Sequence, residues 1–140
     1  MLPLPPFPVS TLTVCRTCRP EGSPAEAEPA GAGLARATAR AAGAFEDKVD
    51  VRTIACLSAC GRACSATVAA PGKFSYVIAN LTPEDAADLV AFAAAHAESA
   101  DGIPPWRARP ERIRKNTAAR VAPPGVQHAL VERPDETEGA

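Results

Sequence analysis

Aromatic residues are scarce in this chain, and neither sign of charge predominates. Phe, Trp and Tyr make up 4% of the 140 residues, so few planar side chains are available for stacking on nucleic-acid bases. Fifteen Lys and Arg residues against sixteen Asp and Glu residues give a formal net charge of −1. That balance provides no global attraction to nucleic acid or to an anionic membrane surface. We therefore expect neither a nucleic-acid nor a membrane partner.

Long hydrophobic runs are also absent. Asp88 and His96 interrupt the most apolar stretch, which falls short of the roughly 20 apolar residues of a membrane span. The N-terminal sequence M-L-P-L-P-P-F-P lacks the basic start and the uninterrupted apolar stretch of a secretory signal, so we expect a cytoplasmic protein. Structural disulfides are disfavoured in the cytoplasm, and clustered cysteines there indicate metal ligation or redox chemistry.

Catalytic motifs of the hydrolases and nucleotide-binding enzymes are missing. The chain has no Ser/His/Asp set, no glycine-rich phosphate loop and no facing pair of carboxylates. We therefore expect an electron carrier or a metal-binding protein rather than an enzyme.

Five cysteines form two clusters and carry most of the chemistry of the sequence. The motif C-R-T-C holds Cys15 and Cys18, and the motif C-L-S-A-C-G-R-A-C holds Cys56, Cys60 and Cys64. Several thiolates in short, turn-prone loops are what a soft metal ion or an iron–sulfur cluster requires. The predicted ligands are the first four cysteines. Cys64 is either a fifth candidate ligand, a neighbour that tunes the site, or a core residue.

The pattern of β-branched, Ala-rich and turn residues predicts an α/β domain. The order β-α-β-β-β-α is that of the thioredoxin-like layout, with helices covering a mixed sheet. If the first two strands are parallel neighbours, both cysteine clusters emerge at the same edge of the sheet, and four sulfurs can surround one centre. The predicted elements are strands at 10–14 and 48–55, a helix at 29–42, a hairpin with strands at 65–70 and 73–79, and a capped helix from Thr82 to about Ala97.

Proline and charge divide the chain into four parts. Trp106 is expected to pack the C-terminal segment onto the domain, with partner binding as the alternative, and His96 is expected to be an ordinary surface or half-buried histidine. The predicted parts are an irregular N-terminal segment at 1–9, a metal- or cluster-binding domain at 10–103, a basic docking segment at 104–121, and a disordered tail at 122–140.

Three kinds of site are compatible with the cysteines. In a 2Fe–2S site, each iron would take two sulfurs, most simply Cys15 with Cys18 and Cys56 with Cys60. A tetrahedral zinc site would use the same four thiolates, although the 37 residues between the clusters exceed the usual gap of zinc knuckles. A thiol–disulfide pair at Cys15 and Cys18 is the least supported. Such a pair normally opens a helix, and here Arg19-Pro20 and a loop follow.

The stretches T-V-C-R-T-C-R-P, C-L-S-A-C-G-R-A-C, A-P-G-K-F-S-Y-V and D-G-I-P-P-W-R-A-R-P-E resemble, in this order, a bacterial family of predicted metal-binding proteins, domain-of-unknown-function family 1636. The resemblance spans about residues 11–121. The C-L-S-A-C block and the following P-G-K hairpin are also similar to the thioredoxin-like 2Fe–2S ferredoxins. These resemblances imply metal binding, a redox or metal-handling protein as partner, and a homodimer. The first resemblance also implies a role in cobalt or cobalamin metabolism.

Overall fold

A computed structural model describes residues 9–134 of the chain. The predicted irregular start at 1–9 and the predicted tail at 122–140 therefore lie partly outside the described residues. Within the described part, no helix is both long enough and apolar enough to cross a membrane.

Five strands and three α-helices make up the domain. The two longer helices cover one face of the sheet, and short 3-10 turns join several elements. The strands are β1 (Ser10–Cys15), β2 (Val49–Ile54), β3 (Ala66–Ala69), β4 (Ser75–Ile78) and β5 (Thr117–Val121). The helices are α1 (Ala30–Ala41), α2 (Ala86–Glu98) and α3 (Glu111–Lys115).

The sheet is mixed, and its strand order is β2-β1-β3-β4-β5. β1 and β2 are parallel neighbours in a register that pairs Ser10 with Val49 and Cys15 with Ile54. All other neighbours are antiparallel. Because β1 and β2 run in the same direction, both end at one edge of the sheet, which is the edge where the two cysteine clusters begin. The predicted α/β architecture is confirmed, while α3 and β5 are additional elements.

The core lies between the sheet and helices α1 and α2. On β1, Leu12 and Val14 are fully buried, whereas the alternating Thr11 and Thr13 are half-buried on the other face. This is the period-2 pattern of a strand with one face packed against a core. Each fully buried aliphatic side chain contributes about 1.5–3 kcal/mol relative to exposure. The helices supply the opposing side chains, which include Leu34, Leu89 and Phe92.

A capping box starts the second helical segment, as predicted. The Thr82 N–H donates to Asp85 Oδ2 at 2.9 Å, and the same carboxylate accepts two bonds from Arg112 at 2.8 and 3.0 Å. The Arg112 fork holds α3 against the start of α2. Ile113 is fully buried beside it. Part of the predicted docking segment at 104–121 therefore packs against the domain.

Two expectations for single residues are wrong. His96 is fully buried: its Nε2–H donates to the Phe74 carbonyl at 2.6 Å, and its Nδ1 accepts the Ser10 hydroxyl at 2.6 Å. A neutral imidazole satisfied at both nitrogens can be buried at little cost. Trp106 does not anchor the C-terminal segment, because 63% of it is exposed. Ile113 provides the buried anchor.

Candidate metal centre

The first cysteine turn, residues 15–18, is built into the core. Cys15 is the last residue of β1, and its N–H donates to the Ser65 carbonyl at 3.1 Å. The Cys18 carbonyl accepts the Gly31 N–H at 3.0 Å, which ties the turn to the start of α1. Cys15 and Cys18 are only 2% and 7% exposed. Both main-chain ends of this turn are thus held by neighbouring elements.

Gly31 is what allows α1 to approach the first cysteine turn. A Cβ at this position would lie 2.0 Å from the Cys15 carbonyl oxygen and 3.0 Å from the Cys18 nitrogen. Both are main-chain atoms, so no side-chain rotation could relieve the clash. Only glycine fits between the helix and the turn.

The second cysteine loop, residues 55–62, follows β2 and is open to solvent. Cys56 and Cys60 are both exposed, and a single 3-10 turn spans Cys60–Arg62. The Ser58 N–H donates to the Cys56 sulfur at 3.2 Å, with Ser58 in the left-handed region at a φ of 56°. The chain therefore curls around the Cys56 sulfur and presents a main-chain donor to it.

Hydrogen bonds join the two cysteine regions to each other. The Arg16 N–H donates to the Ile54 carbonyl at 3.0 Å, and the Thr17 hydroxyl donates to the Ala55 carbonyl. The main chain at the start of the second loop is thus tied to the first turn.

All four predicted ligands, Cys15, Cys18, Cys56 and Cys60, line one cavity of about 250 Å³. Their side chains bring only sulfur as a strong metal donor, a set that suits zinc or an iron–sulfur cluster and not calcium or magnesium. The four cysteines fit such a centre in the type of their donor atoms and in their location around one cavity. Within residues 9–134, no three potential ligands are drawn together closely enough to form a metal site. Ligation would therefore require the exposed second loop to close onto the buried pair.

The pKa values of the two thiols in the first turn are shifted in opposite directions. Burial alone would raise the pKa of Cys15, but hydrogen bonds from Cys18, Thr17 and the Leu57 N–H outweigh it and lower that pKa. Burial and the interaction with Cys15 raise the pKa of Cys18, against an opposing bond from Ser65. The Ser65 hydroxyl lies 3.5 Å from the Cys18 sulfur. Cys15 is thus the readier thiolate of the pair.

Cys64 lies in the core beside the cavity. It is fully buried, and burial together with the nearby Cys18 and Cys15 raises its pKa to about 11. Its thiol points toward the Cys18 carbonyl oxygen, which is 3.9 Å from the sulfur. Its N–H, which belongs to the Ala63–Cys64 cis peptide, donates to the Leu81 carbonyl. Of the three roles considered for Cys64, its position favours a core residue.

Sequence reasoning did not identify two residues that shape this site. Gly31 makes room for the cysteine turn, and the Ser65 hydroxyl approaches the Cys18 sulfur. A glycine in the first turn of an Ala-rich helix was the one available signal, because such a residue usually has a packing reason. The contact of Ser65 depends on which strands become neighbours.

The fold and part of the sequence match known proteins. A thioredoxin-like [2Fe-2S] ferredoxin from Aquifex aeolicus superposes with a TM-score of 0.54 at 17% identity, covering 85% of this chain and 98% of the ferredoxin. A 1.5 Å crystal structure of the wild-type thioredoxin-like [2Fe-2S] ferredoxin from Aquifex aeolicus gives 0.51 at 18% identity, covering 79% and 97%. The predicted thioredoxin-like fold is confirmed. No curated protein matches the chain.

A family model also matches residues 12–124, and its description is "Protein of unknown function (DUF1636)". The matched range includes both cysteine clusters, all three helices, and the sheet except for the first two residues of β1. It covers well over half of the 140 residues. The chain therefore belongs to the DUF1636 family.

Proposed function

We propose that this protein binds a 2Fe–2S cluster through Cys15, Cys18, Cys56 and Cys60 and serves in one-electron transfer or redox sensing. The observation that carries the proposal is the single cavity lined by these four thiols. The likeness of the fold to thioredoxin-like [2Fe-2S] ferredoxins supports the choice of cluster. When bound, such a cluster supplies a centre that accepts and releases one electron.

The residues around the cavity have distinct roles in the proposal. Cys15 and Cys18 form the preorganised half, because the main chain on both sides of them is already held. Cys56 and Cys60 form the exposed half and complete the ligand set. The Ser58 N–H donates to the Cys56 sulfur, and such a donor stabilises negative charge on a thiolate.

The exposed half of the site suits electron transfer to another protein. Cys56 and Cys60 face solvent, which leaves one side of the cavity accessible to a partner. The buried half, with Cys15 and Cys18 below 8% exposure, shields the other side from water. We include in the proposal a cytoplasmic location, where the thiols stay reduced before the cluster is loaded.

A zinc-binding structural or metal-delivery role is the second candidate. It is favoured by one observation: Cys15 and Cys18 are buried together in a C-x-x-C turn, which is the spacing of a zinc knuckle. Four thiolates around zinc would perform no redox chemistry at the metal. A role in cobalt or cobalamin metabolism belongs to this candidate.

Anaerobic purification distinguishes the candidates. We expect a coloured protein whose visible absorption bleaches with dithionite, with iron and acid-labile sulfide in equal amounts. A colourless protein with stoichiometric zinc would replace the first candidate with the second. A protein that contains neither metal, and that takes up neither under anaerobic reconstitution, would sink both.

A further inference from the structure

A concentrated positive charge distinguishes the segment at 104–121 from the rest of the chain. It contains six basic residues and one acidic residue, although the whole chain has a net charge of −1. Part of this segment forms a surface that we call the Trp106 patch, defined by Trp106, Arg107, Arg109 and Arg114. None of these four residues belongs to the cysteine site.

The Trp106 side chain is exposed and lies close to two guanidinium groups. It is 63% exposed, the highest value among the large hydrophobic residues described, and it sits in the turn before α3. The Arg114 guanidinium lies 4.7 Å from the ring centroid, and that of Arg109 lies 5.7 Å from it. The cation–π contacts orient the indole without covering it. Tryptophan and arginine are the residues most enriched at the energetic centres of protein interfaces.

The guanidinium groups of the patch are ordered but not neutralised. Arg109 Nε donates to the Pro104 carbonyl at 2.8 Å, and Arg114 Nε donates to the Arg109 carbonyl at 3.1 Å. Hydrogen bonds to neutral carbonyl oxygens hold the arginine side chains in position but do not neutralise their charge. Within the described residues, no carboxylate pairs with the arginines of the patch, whereas the nearby Arg112 is paired with Asp85. The patch is therefore a preorganised source of free positive charge.

The segment that carries the patch also borders the cysteine site. Arg112 Nη2 donates to the Asn80 carbonyl at 3.0 Å, and the Asn80 N–H donates to the Arg62 carbonyl at 2.9 Å. Arg62 ends the 3-10 turn that begins at Cys60. One residue, Asn80, thus separates α3 from the second cysteine loop.

We propose that the Trp106 patch docks a partner protein through a carboxylate-rich surface, with the indole covered by the partner. Charge complementarity selects the acidic occupant, since ordered guanidinium forks match carboxylates in geometry. A nucleic acid would call for several stacking aromatics, and the patch has one. Electron exchange between the docked protein and the cysteine site rests on the proposed function. The docking itself does not depend on that function.

Fluorescence tests the docking directly, because Trp106 is the only tryptophan in the chain. The full-length protein is titrated at low ionic strength with a short poly-glutamate peptide into which leucines are interspersed. We expect a saturable change in emission that weakens as salt is added. The double variant Arg109→Gln/Arg114→Gln should weaken binding by about fivefold, as for the loss of two exposed ion pairs. Exposed Arg107→Gln should weaken it less.

The matched control is Arg40→Gln, which removes one exposed arginine from the end of α1. It should leave the affinity unchanged. The proposal is overturned if the emission does not respond, if Arg40→Gln weakens binding as much as Arg107→Gln, or if duplex DNA or phosphatidylglycerol vesicles bind more tightly than the peptide. The titration is repeated on Cys15→Ser, which cannot hold the proposed centre. Peptide binding to Cys15→Ser would show that the docking does not need the proposed centre. Failure of the proposed function can therefore be distinguished from failure of the docking.

Discussion

The two cysteine regions differ in how far the fold has prepared them. The first turn is buried, hydrogen-bonded at both ends and pressed against α1 at Gly31. The second loop carries two exposed cysteines and follows an edge strand of the sheet. A site of this kind has one rigid half, which sets position, and one adaptable half, which closes on the ligand. In the proposed function, metal binding would provide the free energy that orders the second loop.

Removal of the proposed metal centre should produce the largest difference between the rigid and the adaptable half. A structural zinc contributes about 10–16 kcal/mol at neutral pH, and a cluster held by four thiolates should likewise order the loop that closes on it. In the stripped protein we expect fast amide exchange at residues 56–60 and retained protection at the Cys15 and Gly31 amides, whose N–H groups are bonded within the fold. Equal loss of protection in both regions would show that the first turn is not preorganised.

A change at Gly31 tests the rigidity of the first turn. Gly31→Ala places a Cβ 2.0 Å from the Cys15 carbonyl, and we expect a loss of at least about 3 kcal/mol in the free energy of unfolding. The control is Gly33→Ala, two residues along the same helix, where the nearest atom is Pro83 Cγ at 3.7 Å. That variant should gain about 0.5–1 kcal/mol. Denaturant unfolding measures both, and similar values would refute the close approach.

Serine substitutions separate ligation from folding. Cys15→Ser and Cys56→Ser should each abolish the metal centre. In the metal-free protein, Cys15→Ser should cost about 1–3 kcal/mol because it alters a buried, hydrogen-bonded group, whereas Cys56→Ser should stay within about 0.5 kcal/mol. Cys64→Ser should keep the centre. The converse result, a centre retained in Cys18→Ser and lost in Cys64→Ser, would overturn the ligand assignment.

Acid should destabilise the fold around His96. Burial lowers the pKa of His96 below its ordinary 6.5, and the nearby Lys73 acts in the same direction. The unfolded chain therefore binds a proton more readily than the folded one. The contribution of neutral His96 to the free energy of unfolding is complete above about pH 6.5 and is lost as the pH falls below that value.

His96 joins Ser10, at the start of β1, to Phe74, so its protonation should loosen the strand that ends at Cys15. Unfolding free energies measured between pH 7 and pH 5 should decline for the wild type and for His128→Gln. The decline should be reduced in His96→Gln, even if that variant is less stable at pH 7. A parallel decline in both variants would assign the acid sensitivity to other groups.

The smallest expected effect concerns the Ser65 hydroxyl, which approaches a sulfur of the first turn. Ser65→Ala removes the group 3.5 Å from the Cys18 sulfur and should make the reduction potential of a bound cluster more negative. A hydrogen bond is worth about 0.5–1.5 kcal/mol, so the shift should be on the order of tens of millivolts. Ser58→Ala is the control, since Ser58 donates through its main chain. A redox titration in which both variants shift equally would remove Ser65 from the site.

Much of the fold was predictable from local pattern. The alternation Leu12, Thr13, Val14 marks β1, Pro71-Gly72 marks the hairpin, and Thr82 with Asp85 marks the start of the second helical segment. Each of these signals depends on residues close together in the sequence. β5 was not predicted, because T-A-A-R-V carries little strand character and becomes a strand only by pairing with β4. Tertiary pairing overrides weak propensity in such a segment.

Local patterns in the amino-acid sequence are enough to predict two cysteine clusters at strand ends, on a thioredoxin-like arrangement of strands and helices. Tertiary packing is what buries Cys15 and Cys18 and leaves Cys56 and Cys60 exposed. It also encloses His96 and leaves Trp106 on the surface. Burial depends on which elements pack together, and that information is spread over distant residues. Gly31 shows the principle most directly, because its necessity is visible only once α1 lies against the cysteine turn.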